Sequence, residues 1–129
     1  MIKKIKKIPL KIIKSKEGNI IKYLDKEKKY FNKFGEIYFS KINKGFTKGW
    51  NLHKKTKCYI TVPYGSVNFV LEDLKRLKTK KFEIKDSRPE LLIIPKNTWF
   101  KFSTKKKFSI IMNLIEIKHD KNETRKSPL

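Results

Sequence analysis

The apolar positions recur in short alternating runs separated by turn residues, and no stretch keeps a helical period. Ile20-Ile21-Lys22-Tyr23-Leu24, Gly35 to Ile42, Cys58 to Pro63, Ser66 to Asp73, Phe82 to Ile84, Trp99 to Phe102 and Phe108 to Ile117 each read as strands. Leu91-Leu92-Ile93-Ile94-Pro95 is continuously apolar, as in a strand buried on both faces. Turn signals lie between them at Lys16-Glu17-Gly18-Asn19, Asn43-Lys44-Gly45, Asp86 to Glu90 and Lys96-Asn97-Thr98. Pro63-Tyr64-Gly65-Ser66 is expected to pair the strand after it with the strand before it. Residues 25–33 read as a loop or single helical turn, and 74–81 as a basic loop. Residues 2–14 carry six Ile or Leu around Pro9, which argues for an edge strand or two short ones. His119 to Leu129 reads as a polar tail, with His119 at its surface. The pattern predicts one all-β domain over residues 1–129, a sandwich or barrel.

One stretch carries most of the candidate chemistry: Lys48-Gly49-Trp50-Asn51-Leu52-His53-Lys54-Lys55 and the strand after it. Alternation puts Asn51, His53 and Lys55 on one face and Trp50, Leu52 and Lys54 on the other. An Asn beside a His among lysines makes the floor of a polar pocket. A solvent-exposed hairpin shoulder has the same pattern.

Composition changes this picture little. The single cysteine, Cys58, excludes an intrachain disulfide, and its strand position suits a small hydrophobe. No apolar run is long enough to span a bilayer, and the lysine-spaced N-terminus lacks the apolar centre of a signal peptide. A cytoplasmic protein without a membrane partner is expected. The net charge of +22 can attract nucleic acid through its summed field. Only Arg76, Arg88 and Arg125 among 34 basic residues are arginine, however, and the lysines are dispersed. Nucleic-acid readers favour the arginine fork, so no specific nucleic acid is expected. Most of the charge reads as drift on a solvated surface, compatible with a cationic pocket for a small anion.

With the strands in place, the chain resembles a cupin. Gly45, Asn51, His53, Cys58 and Gly65 fall at the spacing of the first cupin motif, and Pro95 to Phe100 at that of the second. Three of the four metal-ligand positions hold Asn51, Cys58 and Phe100, a poor divalent site, so a metal-free cupin with no cofactor is expected. Within the cupins the chain is similar to the dTDP-4-dehydrorhamnose 3,5-epimerase family, especially its short members. The segments that carry the likeness include Ile8 to Ile13, Phe34 to Ser40, Lys48 to Lys54, Val62 to Gly65, Phe69 to Lys75, Ile94 to Trp99 and His119 to Glu123.

That resemblance implies a nucleotide-linked 4-keto-6-deoxy sugar as substrate and proton abstraction beside its ketone, in surface-polysaccharide synthesis. It implies a dimer whose N-terminal arm, about residues 1–14, extends the partner's sheet. The family's Arg-Gly-x-His segment maps onto Lys48-Gly49-Trp50-Asn51, giving Lys48 the diphosphate or sugar and putting Asn51 in the place of the catalytic His. The family's active-site lysine maps onto Cys58, and its proton-donor tyrosine falls near Met112. Its Asp-x-Arg pair is kept as Asp73 and Lys75, and Glu36 and Tyr38 join the substrate-binding candidates. Because an amide is no base, His53, two residues on, is the candidate substitute base, with a hydrogen bond to a ligand or a neighbouring strand as its other role. Trp50 and Trp99 are candidates to stack on sugar or nucleobase, with core packing as the other role. Two rival functions remain at this point: a catalytically silent binder or partner protein, and a charge-driven nucleic-acid-binding barrel.

Overall fold

The computed structural model describes residues 4–129; the first three residues of the expected arm lie outside them. Twelve strands run in order: β1 (Lys6–Pro9), β2 (Lys11–Ile13), β3 (Ile20–Lys22), β4 (Glu36–Asn43), β5 (Thr47–His53), β6 (Cys58–Tyr64), β7 (Ser66–Glu72), β8 (Thr79–Lys85), β9 (Glu90–Ile94), β10 (Trp99–Ser103), β11 (Phe108–Ile115) and β12 (Thr124–Lys126). They form two five-stranded antiparallel sheets, β1-β9-β6-β11-β4 and β12-β5-β10-β7-β8, and a separate β2-β3 hairpin. Two sheets face to face with strands alternating between them make the expected jelly-roll sandwich.

The inner faces supply the main core. Ile42, Ile60, Leu92, Ile94, Ile111 and Ile115 come from the first sheet, and Val67, Phe69, Leu71, Ile84, Phe100 and Phe102 from the second. β9 is buried along its whole length, as its continuous apolar run implied. Leu92 and Ile94 face the sandwich, while Leu91 and Ile93 join Tyr59 and Leu114 in a second cluster on the outer face. Tyr23, Leu24, Tyr30 and Phe31 cover that cluster, so the charged 25–33 stretch acts as a lid over apolar surface.

Three expectations about the chain's course need correcting. Pro63 to Ser66 is not a hairpin: β6 lies in one sheet and β7 in the other. Gly65 turns this corner at φ 92°, where an added Cβ meets the Ser109 hydroxyl at 2.2 Å, so a side chain is sterically barred. Residues 79–81 are strand rather than loop, because β8 pairs with β7 from Thr79 onward. The polar tail contains β12, which pairs with β5 along Thr124↔His53, Arg125↔Leu52 and Lys126↔Asn51. β1 pairs with β9 of its own chain, and the hairpin leaves Ile12, Ile13, Ile20 and Ile21 exposed.

Candidate functional site

The two sheets part at their β4-β11 and β5-β12 ends, and between them opens a cavity of about 400 Å³. That volume suits a small ligand or the sugar end of a larger one. Phe100 and Phe102 of β10 form its floor; β4 and β11 contribute Tyr38, Ser40, Ile111 and Asn113 to one wall. Lys48, Gly49, Asn51 and His53 of β5 form the other wall, and the C-terminal segment adds His119, Lys121, Thr124 and Lys126.

Simple alternation does not put Lys48 on the same face as Asn51 and His53. A bulge does. Asn51 pairs with Phe100 and Lys48 with Phe102, so β5 spends one residue more than β10 across this step. Gly49 sits in the bulge at φ 129°, and an added Cβ would lie 2.6 Å from Lys101 Cβ and 2.7 Å from the Phe100 carbonyl. Only glycine fits there. Lys48 then reaches across the cavity and donates to the Ser40 hydroxyl at 2.8 Å.

His53 is 6% exposed, and its Nδ1 lies 2.9 Å from Glu123 Oε2. Glu123 is itself 1% exposed; its other oxygen accepts from Lys55 N at 3.1 Å, and its carbonyl from Lys54 N at 2.9 Å. A carboxylate accepts only, so Nδ1 carries a proton, and in the neutral ring Nε2 holds the lone pair for the cavity. The imidazole also stacks on Phe100 with centroids 6.2 Å apart, which fixes its plane. A buried carboxylate holding the tautomer of a cavity histidine is the arrangement of a general base.

Across the cavity, Tyr38 stands directly opposite Asn113 in the β4-β11 ladder and accepts from Asn113 Nδ2 at 2.9 Å. Among the described residues no acceptor takes the Tyr38 proton. Burial pushes its hydroxyl up to about 12, so it is a neutral donor at physiological pH. The resemblance placed a proton-donor position near Met112 of β11, where there is no hydroxyl. The structure brings one to the same wall from β4.

The remaining candidates separate cleanly. Trp50, Trp99 and Leu52 pack together on the opposite face of the β5 sheet, away from the cavity. Cations cover them: Arg76 lies 4.3 Å from the Trp99 ring, Lys101 4.7 Å from Trp50 and Arg125 5.5 Å from Trp99. Asp73 and Lys75 lie in the β7-β8 turn, outside the cavity lining. There Asp73 Oδ1 accepts from Leu77 N and Lys78 N, which hold its carboxyl below the usual range, Lys78 first. Glu36 accepts from His119 N at 2.7 Å and ties the C-terminal segment to β4 at the cavity rim. Cys58, at the family's lysine position, is fully buried in the core, where burial pushes its thiol up to about 12. Sequence reading missed Glu123, Asn113 and Lys126. The Tyr38-x-Ser40 alternation was the one legible hint, because it turns polar residues inward while Ile37 and Phe39 are exposed.

Fold and cavity together define a cupin-type jelly-roll sandwich, with a histidine–carboxylate pair and a tyrosine facing each other across a cation-rimmed opening. The family model described as FdtA: WxcM-like, C-terminal matches residues 3–127, and the chain belongs to that family. Among curated proteins, none matches the sequence. Solved structures show the same fold. A dTDP sugar isomerase from Desulfovibrio desulfuricans is 24% identical, with a TM-score of 0.90 over 97% of this chain and 84% of that one. The 3,4-ketoisomerase QdtA from Thermoanaerobacterium thermosaccharolyticum, in a histidine-to-asparagine variant bound to TDP-4-keto-6-deoxyglucose, is 22% identical, with a TM-score of 0.84 over 97% and 88%. A dTDP-4-dehydrorhamnose 3,5-epimerase from Elizabethkingia anophelis is 16% identical, with a TM-score of 0.83 over 96% and 75%.

Proposed function

We propose that the protein is a sugar-nucleotide isomerase acting beside the C4 ketone of a dTDP-4-keto-6-deoxy sugar. It serves surface-polysaccharide synthesis in the cytoplasm and works as a homodimer. The observation that carries this reading is the His53–Glu123 pair facing the Tyr38 hydroxyl across one cavity. His53 Nε2 takes the α-hydrogen as a proton, the C–H electron pair becomes the new C=C bond, and the carbonyl π pair moves onto the C4 oxygen. Tyr38, on the opposite wall, is placed to return a proton from the other face. Inversion at the α-carbon follows from that return. Proton delivery to carbon C4 by His53, with the C3 hydroxyl proton passing to the C4 oxygen, instead moves the ketone to C3. Lys48 and the rim lysine Lys121 offset the diphosphate charge. The folds of the isomerases above, and the keto sugar bound to one of them, support this substrate class.

A second reading, a binder without turnover, is favoured by Asn51 at the position where the family resemblance puts histidine. One experiment separates them. The protein is incubated with dTDP-4-keto-6-deoxyglucose in deuterium oxide, and NMR follows exchange at the carbons flanking the ketone and the identity of the product. Deuterium incorporation is the expected result. Tight binding with no exchange defeats the isomerase reading and leaves the binder.

A further inference from the structure

Asn51 is no base, yet it lines the cavity two residues from His53 on the same strand face. Its surroundings give it a defined orientation. Lys126 stands directly opposite Asn51 in the β12-β5 ladder, and opposed residues of an antiparallel pair share a face. The neighbouring Trp50–Ser127 pair anchors it on one side: Trp50 N donates to the Ser127 carbonyl and Ser127 N to the Trp50 carbonyl, each at 3.2 Å. Within that frame Lys126 Nζ donates to Asn51 Oδ1. An ammonium has three donors and no acceptor, so the amide atom facing it must be oxygen. On its other flank Asn51 opposes Phe100, whose ring offers the amide no acceptor.

We infer that Lys126 locks the Asn51 amide so that its Nδ2–H donates to the C4 oxygen of the bound keto sugar, with Lys126 as a positioning residue. The inference rests on the isomerase reading for its chemistry. As His53 withdraws the α-proton, negative charge gathers on the C4 oxygen, and a fixed donor there stabilises the enolate. The ammonium on Oδ1 polarises the amide and strengthens the donor at its far end. A histidine would carry base and donor functions on one ring; here they are divided, base to His53 and donor to Asn51. The C-terminal strand supports both, through Glu123 just before it and Lys126 within it.

The test uses dTDP-4-keto-6-deoxyglucose carrying 13C at C4, with the wild type and three variants. Two quantities are read: the bound carbonyl resonance, which moves downfield when its oxygen accepts a hydrogen bond, and the kcat and KM of α-hydrogen exchange. Asn51→Ala is expected to return the resonance towards its free value and lower kcat on the order of 10²-fold. Lys126→Met is expected to shift the resonance the same way and lower kcat roughly tenfold, the worth of one charge-assisted hydrogen bond, with KM little changed. Lys126→Arg restores both. An unchanged resonance and kcat in Lys126→Met overturns the inference. So does a change in KM alone, which makes Lys126 a direct ligand of the diphosphate. A wild type that shifts the carbonyl but shows no exchange supports the locked donor and defeats the isomerase reading. Exchange without a shifted carbonyl does the reverse, and absence of binding removes both.

Discussion

Replacing Glu123 with glutamine preserves volume and removes one charge, and the hydrogen bonds around it fix the consequence. The wild-type carboxylate accepts two hydrogen bonds, from His53 Nδ1 at 2.9 Å and Lys55 N at 3.1 Å. An amide has one oxygen and one NH2, so it can accept only one of them. If the oxygen stays with His53, the NH2 meets the Lys55 N–H, and two donors oppose each other in a buried site. If the amide flips, it donates to Nδ1, the imidazole proton moves to Nε2, and the base is lost. The first outcome costs about 1–3 kcal/mol of stability for an unpaired buried donor. The second removes general-base catalysis, worth about 10²–10⁴-fold in rate. The flipped amide satisfies both partners and is the favoured state, so exchange by Glu123→Gln is expected to fall on the order of 10³-fold. Affinity for dTDP should stay near wild type in titration calorimetry, because among the described residues the carboxylate pairs with His53 and with no rim lysine. Nitrogen NMR of the His53 ring reads the tautomer directly. A variant that exchanges at the wild-type rate with its proton still on Nδ1 would refute the argument.

Three further outcomes depend on single residues. Tyr38→Phe removes the donor but leaves the base, so deuterium should still enter the α-carbon while net product formation falls about 10²-fold or more; equal loss of both rules out Tyr38 as the proton return. Gly49→Ala at φ 129° meets Lys101 Cβ and the Phe100 carbonyl below 3 Å, so it should cost about 1–3 kcal/mol in urea unfolding and raise KM as Lys48 shifts; an unchanged midpoint rejects the bulge argument. Cys58 has its thiol raised from 9.0 to about 12, so the unfolded chain loses that proton first, and stability is full below about pH 9 and declines as pH rises towards 12. The loss approaches about 4 kcal/mol, and Cys58→Ala should flatten the slope between pH 9 and 12 in denaturant titrations; an unchanged slope contradicts the assignment.

How far the sequence reaches depends on the range of the interactions concerned. β9 was legible because continuous burial writes itself into continuous apolar residues. His53 was legible as a candidate because it is one of two histidines and shares a strand face with Asn51. The face of Lys48 was not, since strict alternation assigns it outward and the bulge at Gly49 reverses it. Trp50 and Trp99 suit either a ligand wall or a packed outer face, and which one depends on the sheet's orientation, a tertiary fact. β12 was invisible for a related reason. Thr124, Arg125 and Lys126 have no apolar alternation, and their strand exists because β5 offers an open edge for pairing.

That edge pairing also explains why a polar C-terminal strand borders the candidate site. Along β12, Thr124 and Lys126 turn towards the cavity while Arg125 turns outward onto Trp99, the same period of two that governs a core strand. Apolar side chains on the inward face would fill the opening; polar ones leave it wet and charged. The same logic holds for β4, where Glu36, Tyr38 and Ser40 turn inward while Ile37 and Phe39 are exposed. Both edge strands turn polar residues inward and border the cavity, and on β4 the usual apolar-in pattern is inverted. In a sandwich with a well-packed centre, such an inverted edge marks where the sheets part to admit a ligand. The inversion on β4 was readable from the chain itself, as an alternation whose polar members face the wrong way for a core.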